Sequence, residues 1–237
     1  MPKDVIVACD FPTAEETLRF LDRFDGRRPF VKIGMELFYA AGPEIVKELR
    51  RRQHRIFLDL KLHDIPNTVG RTVRVLADLG VEMMNVHALG TARMMRAARE
   101  ALDTGGGPRP LLIAVTQLTS TTQEEMEAEL LISAPIEEVV KTYARNARDA
   151  GLDGVVCSPR EAAGVHAVCG ADFLTVTPGI RFADSEAGDQ RRIMTPAQAR
   201  REGSDYIVVG RPITGASDPA EAYTRCCREF LGEGREI

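Results

Sequence analysis

Phe57-Leu58-Asp59-Leu60-Lys61-Leu62-His63-Asp64-Ile65-Pro66 is the stretch on which the reading of this chain turns. It begins as an apolar strand and runs directly into three ionisable residues. Asp59 and Lys61 are two apart, so on an extended strand both side chains point to the same side. Asp64 follows where the strand gives way to a loop, and Pro66-Asn67-Thr68 opens a helix. Two carboxylates and an amine at the mouth of an apolar strand are costly unless they meet one another or a ligand. A surface salt bridge is the plain alternative, and the rest of the chain argues against it.

Outward from this stretch, short apolar, β-branched runs recur along the whole sequence. Strands are predicted at 5–10, 30–35, 55–60, 83–88, 111–117, 154–158, 173–177 and 206–210. Amphipathic helical patterns lie between them, at 13–24, 40–52, 67–79, 91–102, 135–150 and 219–231. Thr13-Ala14-Glu15-Glu16 and Ser217-Asp218-Pro219-Ala220-Glu221 carry a capping residue followed by an early acid. Strict alternation of eight strands with helices predicts an α/β fold, a (β/α)8 barrel forming a single domain over residues 1–237. An open doubly wound sheet would show a glycine-rich turn after its first strand, and Cys9-Asp10-Phe11-Pro12-Thr13 has none. Gly105 to Pro110 reads as a loop on the stabilising side. The connection after strand five holds an acidic helix, 124–131. The one after strand seven, 179–195, is polar, has two glycines and no apolar anchor, and is expected to close as a lid.

Catalysis in such a barrel sits at the carboxyl ends of the strands. In order, those ends carry Asp10, Lys32, Asp59-Lys61-Asp64, His87, Gln117-Leu118-Thr119, Ser158, Thr177 to Arg181, and Gly210-Arg211. The fold converges these ions, alternating in sign, on one cavity. Five lysines (3, 32, 47, 61, 141) stand against twenty-six arginines. Lys32 and Lys61 therefore mark strand ends where a compact, tunable ammonium is needed. Gly210 permits close backbone approach, while Arg211 and Arg181 offer guanidinium forks to phosphate oxygens. His87 reads as a hydrogen-bonded core residue. Asp59 and Asp64 could hold a divalent ion, but Lys61 between them competes, which favours a metal-free site.

A net charge of −4 with no basic run interleaved with aromatics speaks against nucleic acid. Val5 to Cys9 is too short for a signal peptide or a membrane span. The five cysteines have no metal-ligand spacing; Cys9 and Cys157 read as small core residues in a reducing cytoplasm.

Residues 57–66 resemble the signature of the orotidine 5′-phosphate decarboxylase family. Asp10, Val31-Lys32-Ile33-Gly34, Leu118-Thr119-Ser120, Thr177-Pro178-Gly179-Ile180-Arg181, Gly188-Asp189-Gln190-Arg191 and Val209-Gly210-Arg211 follow in that family's order. The resemblance implies conversion of orotidine 5′-monophosphate to UMP and carbon dioxide, the last step of de novo pyrimidine synthesis, without a cofactor. It implies Lys61 as proton donor within a Lys32–Asp59–Lys61–Asp64 array, and Asp10 and Lys32 on the ribose. Thr119, Pro178 and Gln190 would lie along the nucleotide, with Arg181, Gly210 and Arg211 around the phosphate. It also implies a homodimer with shared sites, Asp64 and Thr68 reaching into the neighbouring subunit. Two alternatives stay open: a magnesium-dependent sugar-phosphate decarboxylase or synthase of the same barrel group, and a non-catalytic nucleotide-phosphate binding barrel. Ile65-Pro66 and the loop from Gly179 to Gln190 argue against the first, and Lys61 between two acids against the second.

Overall fold

The computed structural model describes residues 3–104, 108–183 and 194–232. Each short apolar run forms a strand: β1 (Asp4–Ala8), β2 (Phe30–Gly34), β3 (Ile56–Leu62), β4 (Met83–His87), β5 (Leu111–Val115), β6 (Gly154–Val156), β7 (Leu174–Thr177) and β8 (Tyr206–Val209). All pair in parallel, each with its sequence neighbours, and β1 closes on β8 with Asp4 opposite Tyr206 and Val7 opposite Val209. The helices are α1 (Ala14–Leu21), α2 (Met35–Ala41), α3 (Glu44–Arg51), α4 (Pro66–Ala77), α5 (Thr91–Asp103), α6 (Gln123–Glu129), α7 (Ile136–Asp149), α8 (Ala162–Cys169), α9 (Pro196–Arg201), α10 (Arg211–Thr214) and α11 (Pro219–Leu231). This is a (β/α)8 barrel.

Alternation along each strand sorts side chains into two cores. Ile6, Phe30, Phe57, Met83, Ile113, Leu174 and Tyr206 fill the barrel interior. Val5, Val7, Val31, Ile33, Ile56, Leu58, Met84, Leu112 and Ile207 face the helices instead. One step nearer the carboxyl ends, the inward positions change character to Lys32, Asp59 and Asn85, so the apolar floor carries a polar layer.

Several expectations are adjusted. The single helix expected at 40–52 is two, because Gly42, at a φ of 68°, ends α2 before Pro43 starts α3. Helix α8 is apolar nearly all round and α9 is only six residues long, so neither shows the two-faced pattern that marks a helix in sequence. The connection after β7 does have an apolar anchor: Ile180 and Phe182 are buried in the outer core. Its two ends are clasped, Arg181 N–H donating to Met194 O at 3.0 Å and Met194 N–H to Gly179 O at 3.2 Å. Residues 184–193 of the expected lid, Gln190 among them, lie outside the described residues. Among the described residues no helix is long and apolar enough to cross a membrane.

Candidate active site

Three strands deliver four charges to one rim. Lys32 Nζ, from β2, lies 2.8 Å from Asp10 Oδ1 beyond β1 and 3.3 Å from Asp59 Oδ2 on β3. Asp59 Oδ1 in turn accepts a hydrogen bond from Lys61 Nζ at 2.7 Å. The row therefore reads Asp10–Lys32–Asp59–Lys61, alternating in sign, with its two central members buried. Gly34 makes room for it, since a Cβ there would sit 3.0 Å from Asp10 Oδ1 and 3.2 Å from Lys32 Nζ.

The electrostatics follow from that geometry. Burial alone would lower the Lys32 ammonium, but Asp59 and Asp10 outweigh it and hold its pKa above the ordinary value. Burial alone would raise the Asp59 carboxyl; Lys32, Lys61 and the hydrogen bonds from Lys61 and Asn85 overcome it, so the acid is held ionised.

Asp59 and Lys61 share a side of β3, as the spacing requires, but the strand is not regular there. Between Leu58 and Leu62, β3 spends four residues where β4 spends two, from Met84 to Val86. Lys61 takes up the excess in a left-handed conformation, with a φ of 50°. Its N–H, lost to the ladder, donates to Asn85 Oδ1 at 2.8 Å. Asn85 Nδ2 donates to Asp59 Oδ1 at 2.7 Å.

A cavity of about 230 Å³ opens above this row, lined by Lys32, Phe57, Asp59, Lys61, Val115, Gln117, Leu118, Thr119, Ser120, Val156, Cys157, Pro178 and Val208. A second cavity, also about 230 Å³, shares Lys32, Pro178 and Val208 with the first and adds Asp10, Arg181, Gly210 and Arg211. Burial and the neighbouring Arg211 cation both lower the Arg181 pKa, so two guanidiniums here would gain from an anion. Gln117 Nε2 is buried with no hydrogen-bond partner among the described residues. A mostly apolar chamber thus meets a cationic one across a row of fixed charges.

Of the residues singled out from sequence, Asp10, Lys32, Asp59, Lys61, Thr119, Pro178, Arg181, Gly210 and Arg211 line these two cavities. Asp64 and Thr68 line neither. Asp64 is exposed, its Oδ1 accepting from Ile65 N–H at 2.6 Å, and Thr68 is exposed on the first turn of α4. Asp64 borders a separate cleft with His63, Ile65, Leu89 and Arg93. His87 is not a core residue: its ring stacks on His63 at 5.6 Å and accepts from Leu89 N–H. Ser158 serves a buried capping box with Glu161. Asn85 was not singled out, although a lone amide within Met83-Met84-Asn85-Val86-His87 is an available signal. Among the described residues no group of three or more His, Cys, Asp or Glu side chains is placed to hold a metal ion.

Fold and site together define a (β/α)8-barrel enzyme with a pocket suited to a small anionic substrate. Comparison with known proteins narrows the class. A family model described as Orotidine 5′-phosphate decarboxylase / HUMPS family matches residues 3–226, and the chain belongs to that family. The orotidine 5′-phosphate decarboxylase of Bacillus caldolyticus is 56% identical over 234 residues, 98% of this chain and 96% of that protein. That of Bacillus cereus (strain G9842) is 52% identical over 235 residues, 98% and 99% of the two chains. Among solved structures, orotidine 5′-phosphate decarboxylase from Lactobacillus acidophilus aligns with a TM-score of 0.87 at 44% identity, covering 96% of this chain and 99% of that one.

Proposed function

We propose that this chain, acting as one catalytic unit, decarboxylates orotidine 5′-monophosphate to UMP in pyrimidine biosynthesis, without a metal or organic cofactor. The observation that carries the reading is the unbroken Asp10–Lys32–Asp59–Lys61 row between an apolar chamber and a two-arginine chamber. The C6–carboxylate bond breaks, carbon dioxide leaves, and the electron pair stays on C6. The Lys61 ammonium stabilises that charge and donates its proton, forming the C6–H bond; solvent then reprotonates the amine.

Asp59 lies beside the leaving carboxylate in this reading. Two like charges about 4 Å apart at an effective dielectric near 20 repel by about 4 kcal/mol, which stresses the ground state. Fixed charges favouring the transition state are the larger contribution, because Asp59 holds the ammonium where charge develops. Asp10 and Lys32 hold the ribose, Thr119 and Pro178 flank the base, and Arg181, Gly210 and Arg211 take the phosphate. Gln190 belongs to the same nucleotide contacts. Loss of the orotidine-nucleotide absorbance in the presence of a chelator tests the reading. A silent protein would refute it, and turnover that dies with chelation would favour the magnesium-dependent alternative.

The same reading makes the protein a cytoplasmic homodimer in which Asp64 and Thr68 complete the neighbouring site. Its support is that Asp64 lines neither cavity of its own chain and borders a separate cleft with Ile65 at 66% and Leu89 at 37% exposure. Lys61→Ala and Asp64→Ala, each inactive alone, should recover about a quarter of wild-type activity when unfolded and reassembled together. Random pairing makes about half the dimers mixed, and each mixed dimer has one intact site. No recovery would place both residues in the same chain's site.

A further inference from the structure

The conformation of Lys61 is the least expected feature of the site. A lysine at a φ of 50° costs energy that the surroundings must repay, and its displaced N–H needs a partner. Both obligations fall on one side chain. Asn85 is 1% exposed, sits inward on β4 and lines neither of the two cavities, so it touches no substrate itself. Its carbonyl oxygen receives the Lys61 N–H at 2.8 Å, and its amide nitrogen donates to Asp59 Oδ1 at 2.7 Å. That same oxygen receives Lys61 Nζ. Asn85, the Lys61 backbone, the Lys61 ammonium and the Asp59 carboxylate thus form a closed ring of hydrogen bonds.

We propose that Asn85 is a positioning residue of the decarboxylation: it fixes the Lys61 backbone in its left-handed kink and orients Asp59, so that the ammonium is aimed at the reacting carbon. The inference rests on the function proposed above. A primary amide fits the position at every pH. It needs an acceptor toward the kinked N–H and a donor toward the carboxylate at once. An ionised aspartate offers the first alone, leucine offers neither, and glutamine is a methylene too long for a full barrel interior.

Charged and titratable neighbours are few, which makes the site testable by pH. Asp59 and Lys61 face Asn85 from β3, Lys32 stands beyond Asp59 on β2, and His87 ends β4, the strand of Asn85 itself. The inward residues of β5, Ile113 and Val115, and Gln117 just beyond it, carry no charge. In Asn85→Asp a second carboxylate would face Asp59 where the amide nitrogen was. Two carboxylates at that range share a proton, with one pKa strongly raised. Protonated, the new side chain donates to Asp59 as the amide did; ionised, it repels it. Activity should therefore return as pH falls.

The experiment measures kcat, KM and melting temperature for wild type, Asn85→Leu and Asn85→Asp across pH. Asn85→Leu should lose about 10²-fold in kcat at every pH, the order a misplaced catalytic group costs, with little change in KM. Asn85→Asp should be similarly slow near pH 8 and recover several-fold toward about pH 6, a rise absent from the other two. A folded Asn85→Leu with near-wild-type kcat overturns the proposal. So does an Asn85→Asp profile parallel to wild type, which decides the matter even if the leucine variant fails to fold. An inactive wild type would instead refute the function itself.

Discussion

The two ends of this barrel carry the same residue types at strand termini and put them to opposite uses. At the amino-terminal end, Asp153 accepts Leu112 N–H at 2.8 Å and grips Arg109 through contacts of 2.6 and 2.8 Å. Glu82 accepts Ile56 N–H at 2.6 Å and pairs with Arg50, and Asp205 accepts Thr175 N–H at 2.9 Å and meets His166. Each of these acids accepts an N–H from the first two residues of the preceding strand and meets one base. At the carboxyl end, among the described residues, the central pair is held by side chains: Lys32 is shared by two acids and Asp59 by two amines and the Asn85 amide. One arrangement terminates in the fold, the other terminates in an ammonium facing a cavity. In this barrel the acids that also hold a strand N–H belong to the fold, while Lys32 and Asp59, held by side chains, face the cavity.

The sharpest way to break this contrast is Lys61→Ala. General acid catalysis and oriented charge together should make the loss about 10³-fold or more in kcat, with the melting temperature essentially kept. A variant retaining a tenth of kcat, about 1.4 kcal/mol of barrier, would put Lys61 on the structural side of the comparison. Arg211→Ala comes next. Hydrogen bonds to a charged phosphate contribute about 1.5–3 kcal/mol each, so kcat/KM for the nucleotide should fall by roughly one to two orders of magnitude. The phosphate-free nucleoside should be barely affected, and equal losses on both would make Arg211 structural.

Asp153→Ala should do the reverse. It strands Leu112 N–H and the Arg109 fork, at a cost of about 1–3 kcal/mol. In a chain of this length that lowers the melting temperature by several degrees, about 2–4 °C per kcal/mol, with kcat per folded molecule unchanged. A drop in kcat without a drop in stability would dissolve the distinction between the two ends.

How much of this was legible beforehand depends on the kind of signal. Strand and helix alternation gave the barrel, because hydrophobic period survives in local sequence. Strand-end position gave Asp10, Lys32, Asp59, Lys61, Arg181 and Arg211, because the fold sends all such ends to one rim. Parity put Asp59 and Lys61 on one side, but it could not give the left-handed backbone of Lys61. That conformation depends on Asn85, twenty-four residues away and reached only through the β3–β4 register shift. The acids of the amino-terminal end were missed for a related reason: their partners are N–H groups of the preceding strand, invisible to side-chain spacing. Ser158 shows the converse, a polar strand end absorbed by its own capping box.

A last prediction compares the ends through histidines, one at each. His54, 4% exposed at the amino-terminal end, has its pKa lowered, chiefly by burial and against the pull of its hydrogen bond to Pro29 O. At the carboxyl end His87 is lowered further, to about 4, by burial first and then by His63 and Lys61. A histidine depressed in the fold stays neutral while the unfolded chain takes up a proton below about 6.5. The unfolded state then binds more protons, so stability falls as pH drops from about 6.5 toward 4 and levels off below. His87→Asn keeps an acceptor for Leu89 N–H but removes the titration. It should flatten part of that acid limb, by a few degrees of melting temperature at most, since the ring is partly exposed and screened. Melting curves at pH 7.5 and pH 5 for wild type, His87→Asn and His54→Gln measure it. Should His87→Asn follow the wild-type slope while His54→Gln flattens it, the acid sensitivity belongs to the structural end of the barrel and not to the rim that carries the site.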